Sequence, residues 1–512
     1  MADYQEFLDG VDRAAYHEGE WRWEEDGYTV TRTYHYSPPG CHSSCGILIY
    51  TKDGKVERIE GDPLDPCSNG KLCIRCLTLD ESINNPDRLK YPLRRAGKRG
   101  ENKWERISWD EAYDEIEAKV REIWATDGGN AIIGVHGTGR NINWQLPFFY
   151  QVALKTPNVS TFAFTGFSCY MPRVCGCIAP FGDFTVVDAS QAHPDRYNNA
   201  EWVPPEVVVV WGNEPLASNA DGYVGHWLVQ CVQMGTKIIS IDPRLTWWGA
   251  RAAYWLPVRP GTDAVVAMAM LNVIIGEDLV DHDFIDKWTY GFEALAERVK
   301  DYPVEKVAEI CWVPAEKIVK AARMYATCLP AYLPWGLATD AIGRNQAQAN
   351  RAKACLKALI GINKAGQTYL APPNDVLPHA TFEMPEMLPK SQRDKQLGSD
   401  RFPFHSWPSY QMISDAQSRV FHHPYFLSQN ATCAQNWCAV SEAIRTGKPY
   451  PVKGLIAQAS NPFSNLSNTQ DVYECVKLLD LVITHEYTMT PLAMLSDYVL
   501  PAAGWLERPQ LW

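Results

Sequence analysis

Past residue 130 the chain alternates two kinds of pattern, and that alternation constrains its fold more than any other feature. AIIGVHG precedes the helix-like INWQLPFFYQVALK, and PEVVVVWGNEP precedes a helical stretch to about Met234 that returns as TKIISIDPR. AYLPWGLATD precedes QAQANRAKACLKALIG, and VKGLIAQASNP precedes TQDVYECVKLLD. Short β-rich runs separated by segments of helical period predict α/β domains built on mostly parallel sheets. Just upstream, ISWDEAYDEIEAKVREIWA reads as an amphipathic helix capped by Ser108, with acidic residues in its first turn. With 512 residues, the chain has room for three or four core-forming units.

The N-terminal region follows another pattern. Residues 46–52 (GILIYTK) and 55–60 (KVERIE) flank Asp53-Gly54, the pairing that suits a two-residue hairpin turn. Five of the fifteen cysteines, Cys41, Cys45, Cys67, Cys73 and Cys76, surround this hairpin. Two close thiolates and a distant one returned by a hairpin can surround a compact metal core, and Cys41-x-x-x-Cys45 with Cys73-x-x-Cys76 could equally form a zinc knuckle. Disulfides are the weakest alternative, because the cysteine count is odd and no export signal precedes them. A cytoplasmic location is therefore expected. With 48 basic and 60 acidic residues the net charge is −12, which disfavours nucleic acid or an anionic membrane as partner. No run approaches eighteen apolar residues, so no membrane span is expected. The Pro-rich segment from Ala371 to about Trp407 is expected on the surface or at a domain junction.

The cysteine segment resembles the iron–sulfur domain of the molybdopterin oxidoreductases, the dimethyl sulfoxide reductase family. The matching pieces are Asp53-Gly54-Lys55-Val56, Glu60-Gly61-Asp62-Pro63 and Gly70-Lys71-Leu72-Cys73-Ile74-Arg75. The resemblance implies Cys41, Cys45 and Cys73 as ligands of a [4Fe-4S] cluster, and Arg75 as the basic residue between cluster and pterin. It continues through Trp211-Gly212-Asn213-Glu214-Pro215, Ile241-Asp242-Pro243-Arg244 and Arg259-Pro260-Gly261-Thr262-Asp263, where the family binds a guanine dinucleotide. Strand ends leave a crevice, a helix start attracts phosphate, and a strand-end carboxylate can bond ribose or guanine donors. On the same resemblance Trp211, Gly212, Asn213, Asp242, Arg244, Gly261, Thr262, Asp263 and Asn461 are cofactor-binding candidates.

Narrower likenesses (WERISWDEA, YPVEKVAEI, WLPVRPGTD, LGSDRFPF, KPYPVK, DYVLPAAGWLERP) resemble the acetylene hydratase and catechol dehydroxylase branch. That branch implies bis-molybdopterin guanine dinucleotide carrying molybdenum or tungsten. In FSCYMPRVCGCIAPFGDF the family register makes Cys169 the metal ligand, ahead of Pro172, Val174, Gly176 and Gly182, with Cys175 and Cys177 as competitors. A soft thiolate suits such a metal. Tyr170 is placed to line the substrate pocket, and His136, in GVHGTGRNIN, takes the position of a cofactor-proximal arginine.

Two departures qualify the match. The family's first cluster cysteine falls at Pro38, leaving His35, His42, Cys67 or Cys76 to supply the fourth ligand, imidazole being a permitted substitute. His42 also stands where the hydratase has its activating aspartate, and it cannot copy a carboxylic acid of raised pKa. The resemblance thus implies a multidomain α/β fold: an iron–sulfur domain over 30–92, one dinucleotide-binding domain over 93–165 with 366–495, and a second over 166–365. A C-terminal barrel-like domain is missing from the expected set. The activity implied is anaerobic two-electron reduction or dehydroxylation of a small, phenolic-type substrate, with His136 or His42 protonating the leaving group and an electron-donor protein or iron–sulfur subunit as partner. A non-redox hydratase and an inactive cofactor-binding scaffold are the alternatives.

Overall fold

The structure is a computed structural model that describes residues 14–35, 45–65, 68, 70–137, 146, 148–161, 164, 171–181, 203–217, 223–334, 336, 338–339, 345–362, 364, 366–367, 384–403, 406–421 and 436–507. The chain forms two compact units. One comprises residues 1–82 and 168–373, and the other residues 83–167 and 374–512. Each is interrupted in sequence, because the chain leaves the first after the cysteine segment and returns to it at residue 168.

The first unit holds two four-stranded sheets. β1 (Arg22–Glu25), β2 (Tyr28–His35), β3 (Cys45–Lys52) and β4 (Lys55–Gly61) form an antiparallel meander. The β3–β4 turn is the expected one: Asp53 and Gly54 both have positive φ (48° and 75°), which matches the right-handed twist of the flanking strands. Asp26-Gly27 repeats the device between β1 and β2, with φ of 49° and 78°. Trp23, Val30, Leu48 and Tyr50 pack as a small core on this sheet.

The second sheet of this unit is wholly parallel. β9 (Val207–Trp211), β10 (Lys237–Ile241), β11 (Tyr254–Leu256) and β12 (Ala331–Tyr332) lie in the order β11-β10-β9-β12. All five residues of β9 are buried, as expected of a parallel strand covered on both faces. Its core runs from Val207, Val209 and Trp211 to the helices Asp263–Gly276, Ala315–Thr327 and Gln346–Leu359. Because β10 and β11 lie on one side of β9 and β12 on the other, the winding reverses at β9. Open α/β sheets bind ligands outside the carboxyl ends of the strands at such a switch point.

The second unit is built on one seven-stranded sheet in the order β6-β5-β15-β14-β13-β7-β8. Its parallel part comprises β7 (Ile132–His136), β8 (Val159–Thr161), β13 (Gly454–Gln458), β14 (Leu481–Glu486) and β15 (Tyr498–Pro501). β5 (Leu93–Arg95) and β6 (Trp104–Arg106) add an antiparallel edge. Ile133, Val135, Leu455 and Val482 bury one face, while Ile132, Ile456, Leu481 and Ile483 bury the other. Here the winding reverses between β7 and β13. Helix Trp109–Asp127 carries the expected Ser108 cap as a full capping box with Glu111.

The Pro-rich segment, expected on the surface or at a domain junction, holds the boundary between the two units after Pro373, and part of it is buried. Leu388, Leu397 and Trp407 are buried, and Leu397 joins the core that contains Val440 and Ala443. Side chains replace the missing ladder: Asn158 Oδ1 accepts from Leu397 N at 2.9 Å, and Gln396 Oε1 accepts from Trp407 N at 2.9 Å. Prolines erase the hydrophobic period without preventing isolated side chains from burying. Residues 371–383 of that segment lie outside the described residues. Among the described residues no helix is long and apolar enough to cross a membrane.

Candidate functional site

At the switch point of the first unit, β9 and β10 end in register, Trp211 beside Ile241. Gly212-Asn213 and Asp242 therefore leave two adjacent strand ends together. Gly212 takes φ 57°, and its N–H still donates to Ile241 O at 2.9 Å. On the other side, a side chain at Gly336 would run into the Trp211 carbonyl oxygen, so only glycine lets the chain beyond β12 approach β9 this closely. Asp242 is buried, and that burial raises its carboxyl pKa against the pull of its bond from Arg244 N at 2.8 Å. Glu214 is raised as well, first by burial. Asp263 is close enough to act on Asp242, so three carboxylates gather at this end of the sheet.

The other candidates there divide by what they already hold. Asp263 accepts the Trp211 indole N–H at 2.9 Å, which makes it a support for Trp211. Thr262 Oγ1 donates to Arg259 O at 2.6 Å and does not cap its helix, although Gly261 before it has φ 85°. The Arg244 side chain is 73% exposed. Lys353, which the sequence reading missed, is buried; its Nζ donates to Thr339 Oγ1 at 3.0 Å and lies 5.6 Å from the Trp211 ring. Its one signal was a lysine at a position whose helical neighbours Ala349, Ala352 and Leu356 are apolar.

The switch point of the second unit is lined differently. His136, Gln458 and His485 are register partners across β7, β13 and β14, and so share one face of the sheet. His136 is fully buried, and burial lowers its pKa to about 4. Its Nδ1 lies 2.7 Å from Gly137 O, and a carbonyl only accepts, so Nδ1 carries the hydrogen. The ring is neutral at neutral pH and holds no imidazolium proton to give. Tyr150 OH donates to Gln458 Oε1 at 3.0 Å, fixing the middle of the row. Gly137 lies against Ala459 so closely that a Cβ would strike the Ala459 carbonyl oxygen.

Beyond β13, Ser460 Oγ and Asn461 Oδ1 are buried without a hydrogen-bond partner among the described residues, while Asn461 Nδ2 donates to Ser464 Oγ at 3.0 Å. Glu486 ends the neighbouring β14, and burial pushes its pKa up to about 7. The sequence reading missed Ser460 and Glu486. Their signal was polar residues just beyond the strand-like runs GLIAQA and LVITH.

In the antiparallel sheet, His35 on β2 and Cys45 on β3 are cross-strand partners, both buried, and burial lowers the His35 pKa to about 4. Cys73 precedes the short helix Ile74–Leu77. The Cys73 thiol is pushed up to about 12, first by Cys76 beside it and then by burial, while Arg75 pulls the other way. Cys41, His42 and Cys67 lie outside the described residues, as do Cys169 and Tyr170. Among the described residues no three His, Cys, Asp or Glu side chains close on one point. Helix Met171–Phe181 follows Tyr170 directly, with Gly176 packed against Ala347 and Asn350.

Residues 88–511 match the molybdopterin oxidoreductase family model, and residues 38–85 match the molybdopterin oxidoreductase Fe4S4 domain. The chain belongs to the molybdopterin oxidoreductase family. It is 35% identical over 479 residues to acetylene hydratase of Syntrophotalea acetylenica, covering 92% of this chain and 62% of that protein. It is 29% identical to the thiosulfate reductase molybdopterin-containing subunit PhsA of Salmonella typhimurium, over 92% of this chain and 58% of the relative. Dimethyl sulfoxide reductase DmsA of Escherichia coli is 28% identical, over 90% and 57%. The solved acetylene hydratase from Pelobacter acetylenicus superposes with a TM-score of 0.78 at 32% identity, over 93% of this chain and 64% of that one. The chain thus spans less than two thirds of the length of these relatives.

The residues at the two switch points suit the group that the larger domain is named for. Buried acids at one switch point offer acceptors to ribose hydroxyls or guanine N–H groups. Ser460 and Asn461 oxygens at the other, unpartnered among the described residues, offer a hydroxyl and an amide carbonyl. Cys45 and Cys73 carry soft sulfur donors, but among the described residues no three ligating side chains gather where they could hold a metal ion.

Proposed function

We propose that the chain is the cofactor-bearing part of a molybdenum or tungsten enzyme with bis-molybdopterin guanine dinucleotide and a [4Fe-4S] cluster, acting as an anaerobic reductive dehydroxylase or related reductase of a small, phenolic-type substrate. The observation that carries this reading is the pair of switch-point crevices, one per α/β sheet, each reached by a glycine-permitted backbone approach. Two dinucleotides need two such crevices. The proposed division is an iron–sulfur domain over 30–92 and dinucleotide-binding domains over 93–165 with 366–495 and over 166–365.

When bound, the cofactor would supply a redox-active metal able to exchange two electrons and an oxygen atom with a substrate. Cys169 is the proposed protein ligand to that metal. Asp242, with Asn213 beside it, would hold one nucleotide, while Asn461 and Ser460 would hold the other. Trp211, braced by Asp263, shapes the first crevice. His136, neutral and anchored to Gly137, would accept a hydrogen bond or orient the substrate, which leaves proton delivery to His42. Tyr170 would line the pocket. Arg75, beside the Cys73 thiol, is the proposed relay between cluster and pterin, and an electron-donor protein would refill the cluster.

A second reading, non-redox hydration, is favoured by the 35% identity to acetylene hydratase. One assay separates them. The anaerobically purified, metal-loaded protein is offered catechols with a reduced low-potential viologen dye, then acetylene alone. Catechol-dependent dye oxidation is expected, since removing a hydroxyl consumes two electrons. Acetaldehyde formed from acetylene without dye oxidation would overturn the reductive reading.

A further inference from the structure

We propose that Lys353 is an electrostatic anchor for the dinucleotide of the first unit, its buried ammonium attracting the anionic diphosphate to a strand end crowded with carboxylates. This deepens the dinucleotide reading of that crevice and rests on it.

Three observations place the charge. Lys353 is 3% exposed in helix Gln346–Leu359, where Ala349 and Leu356, one turn before it and one after, are buried as well. An apolar side chain at this station would simply extend the core, whereas an ammonium there carries a heavy desolvation cost. Packing alone does not call for the charge.

The ammonium also stands directly behind the crevice. Its Nζ donates to Thr339 Oγ1 at 3.0 Å and lies 5.6 Å from the Trp211 ring, within the range of a cation–π contact. Thr339 packs on the turn that leaves β9: a Cβ on Gly212 would stand 3.0 Å from Thr339 Cγ2, and Ala338 N donates to Gly212 O at 3.1 Å. Asn350, one turn earlier on the helix, secures the same wall by donating from Nδ2 to Thr339 O at 3.2 Å. One layer of side chains, Trp211 and Thr339, therefore lies between the charge and the strand end.

The third observation is the sign of what surrounds the ligand. Glu214, Asp242 and Asp263 gather at this end of the sheet, and carboxylates repel a diphosphate. The helix start at Asp263 supplies only a partial positive charge. The Arg244 side chain is 73% exposed, so water and salt screen it. Lys353 is buried, and its attraction passes through the wall with much less screening. Trp211 thus has Asp263 at its indole N–H and Lys353 near its ring, an acid and a base on either side of the wall. The acids recognise donors on the nucleoside, and the lysine offsets them toward the phosphates.

The competing role is a structural tie that merely holds Thr339 in place. The two roles part when charge alone is removed. The test uses the intact, metal-loaded protein and its Lys353→Met, Lys353→Gln, Lys353→Arg and Thr339→Val variants. Release of guanine nucleotide is timed after gel filtration, and circular dichroism reports on folding. Lys353→Met and Lys353→Gln should release one nucleotide about tenfold faster with unchanged dichroism, leaving the nucleotide of the second unit in place. Lys353→Arg, which keeps the charge, should hold both nucleotides close to wild type. Thr339→Val removes the tie and keeps the charge, so it should lose much less than Lys353→Met. Wild-type release from both uncharged variants would overturn the proposal, and so would equal losses in Thr339→Val and Lys353→Met. A wild type that carries no guanine nucleotide would overturn the dinucleotide reading itself, which separates that failure from a wrong role for the lysine.

Discussion

The two switch points solve one geometrical problem with opposite chemistry. In the first unit, three carboxylates (Glu214, Asp242, Asp263) gather at the ends of β9 and β10, and burial raises the pKa of the first two. In the second, the sheet end carries a neutral histidine, a glutamine held by Tyr150 and the oxygens of Ser460 and Asn461, unpartnered among the described residues. Burial is complete at His136 and partial at Glu214. The difference teaches that a strand-end crevice is set by topology, while its selectivity is set by the few polar residues left there. Acids select ligand N–H and O–H donors. A hydroxyl and an amide can meet donors and acceptors alike.

Backbone crowding is the most sensitive point of the comparison. Gly336→Ala pushes a methyl into the Trp211 carbonyl, and Gly137→Ala pushes one into the Ala459 carbonyl. Backbone cannot yield as a side-chain tip can, so each change should destabilise its own unit by about 3 kcal/mol or more. Hydrogen exchange should show the loss confined to the first unit for Gly336→Ala and to the second for Gly137→Ala. Equal loss of protection in both would break the picture of separate sites.

Acid should act next. Folded His136 takes a proton only near pH 4, whereas the unfolded chain takes it near 6.5. Between those values the unfolded state binds more protons, so this group's contribution is complete above pH 6.5 and is lost as pH falls to 4. It amounts to roughly 3 kcal/mol. His136→Gln should flatten that part of the denaturation profile. Glu486 has the opposite sign: its pKa is raised to about 7, so the folded state holds the extra proton and stability declines as pH rises from 4.5 to 7. Glu486→Gln should therefore raise stability at pH 7 more than at pH 5. Identical pH profiles for wild type and both variants would refute this account of the second crevice.

Much of this was legible in the sequence, and the failures have physical causes. The Asp53-Gly54 turn, the Ser108 capping box and the parallel strands announced themselves through turn chemistry and apolar runs. The β1–β2 hairpin was missed although Asp26-Gly27 carries the same signal, because charged residues interrupt the alternation around it. β5 and β6 went unread because strands of three residues are too short to show a period. Trp211, Gly212, Asn213, Asp242 and Asn461, cofactor-binding candidates by motif, lie at or just beyond strand ends. Motif reading could not show that Asp263 braces Trp211, or that burial keeps His136 neutral. Those follow from packing between segments far apart in sequence.

Smaller effects sharpen the contrast. Asp242→Ala should weaken nucleotide retention in the first unit and Asn461→Ala in the second, each by about ten- to a hundredfold, the loss expected for one or two hydrogen bonds to a charged or buried partner. Ser108→Ala, remote from both crevices, should cost only about 1 kcal/mol and leave retention unchanged.

The most direct test of the central claim is the nucleotide count. The intact, metal-loaded protein is hydrolysed in acid, and released guanine nucleotide is quantified against molybdenum or tungsten in the same sample. Two switch-point crevices predict two nucleotides for each metal atom, with Asp242→Ala and Asn461→Ala each lowering the count toward one. A single nucleotide per metal in wild type, or a count unmoved by either substitution, would contradict the assignment of one dinucleotide to each sheet.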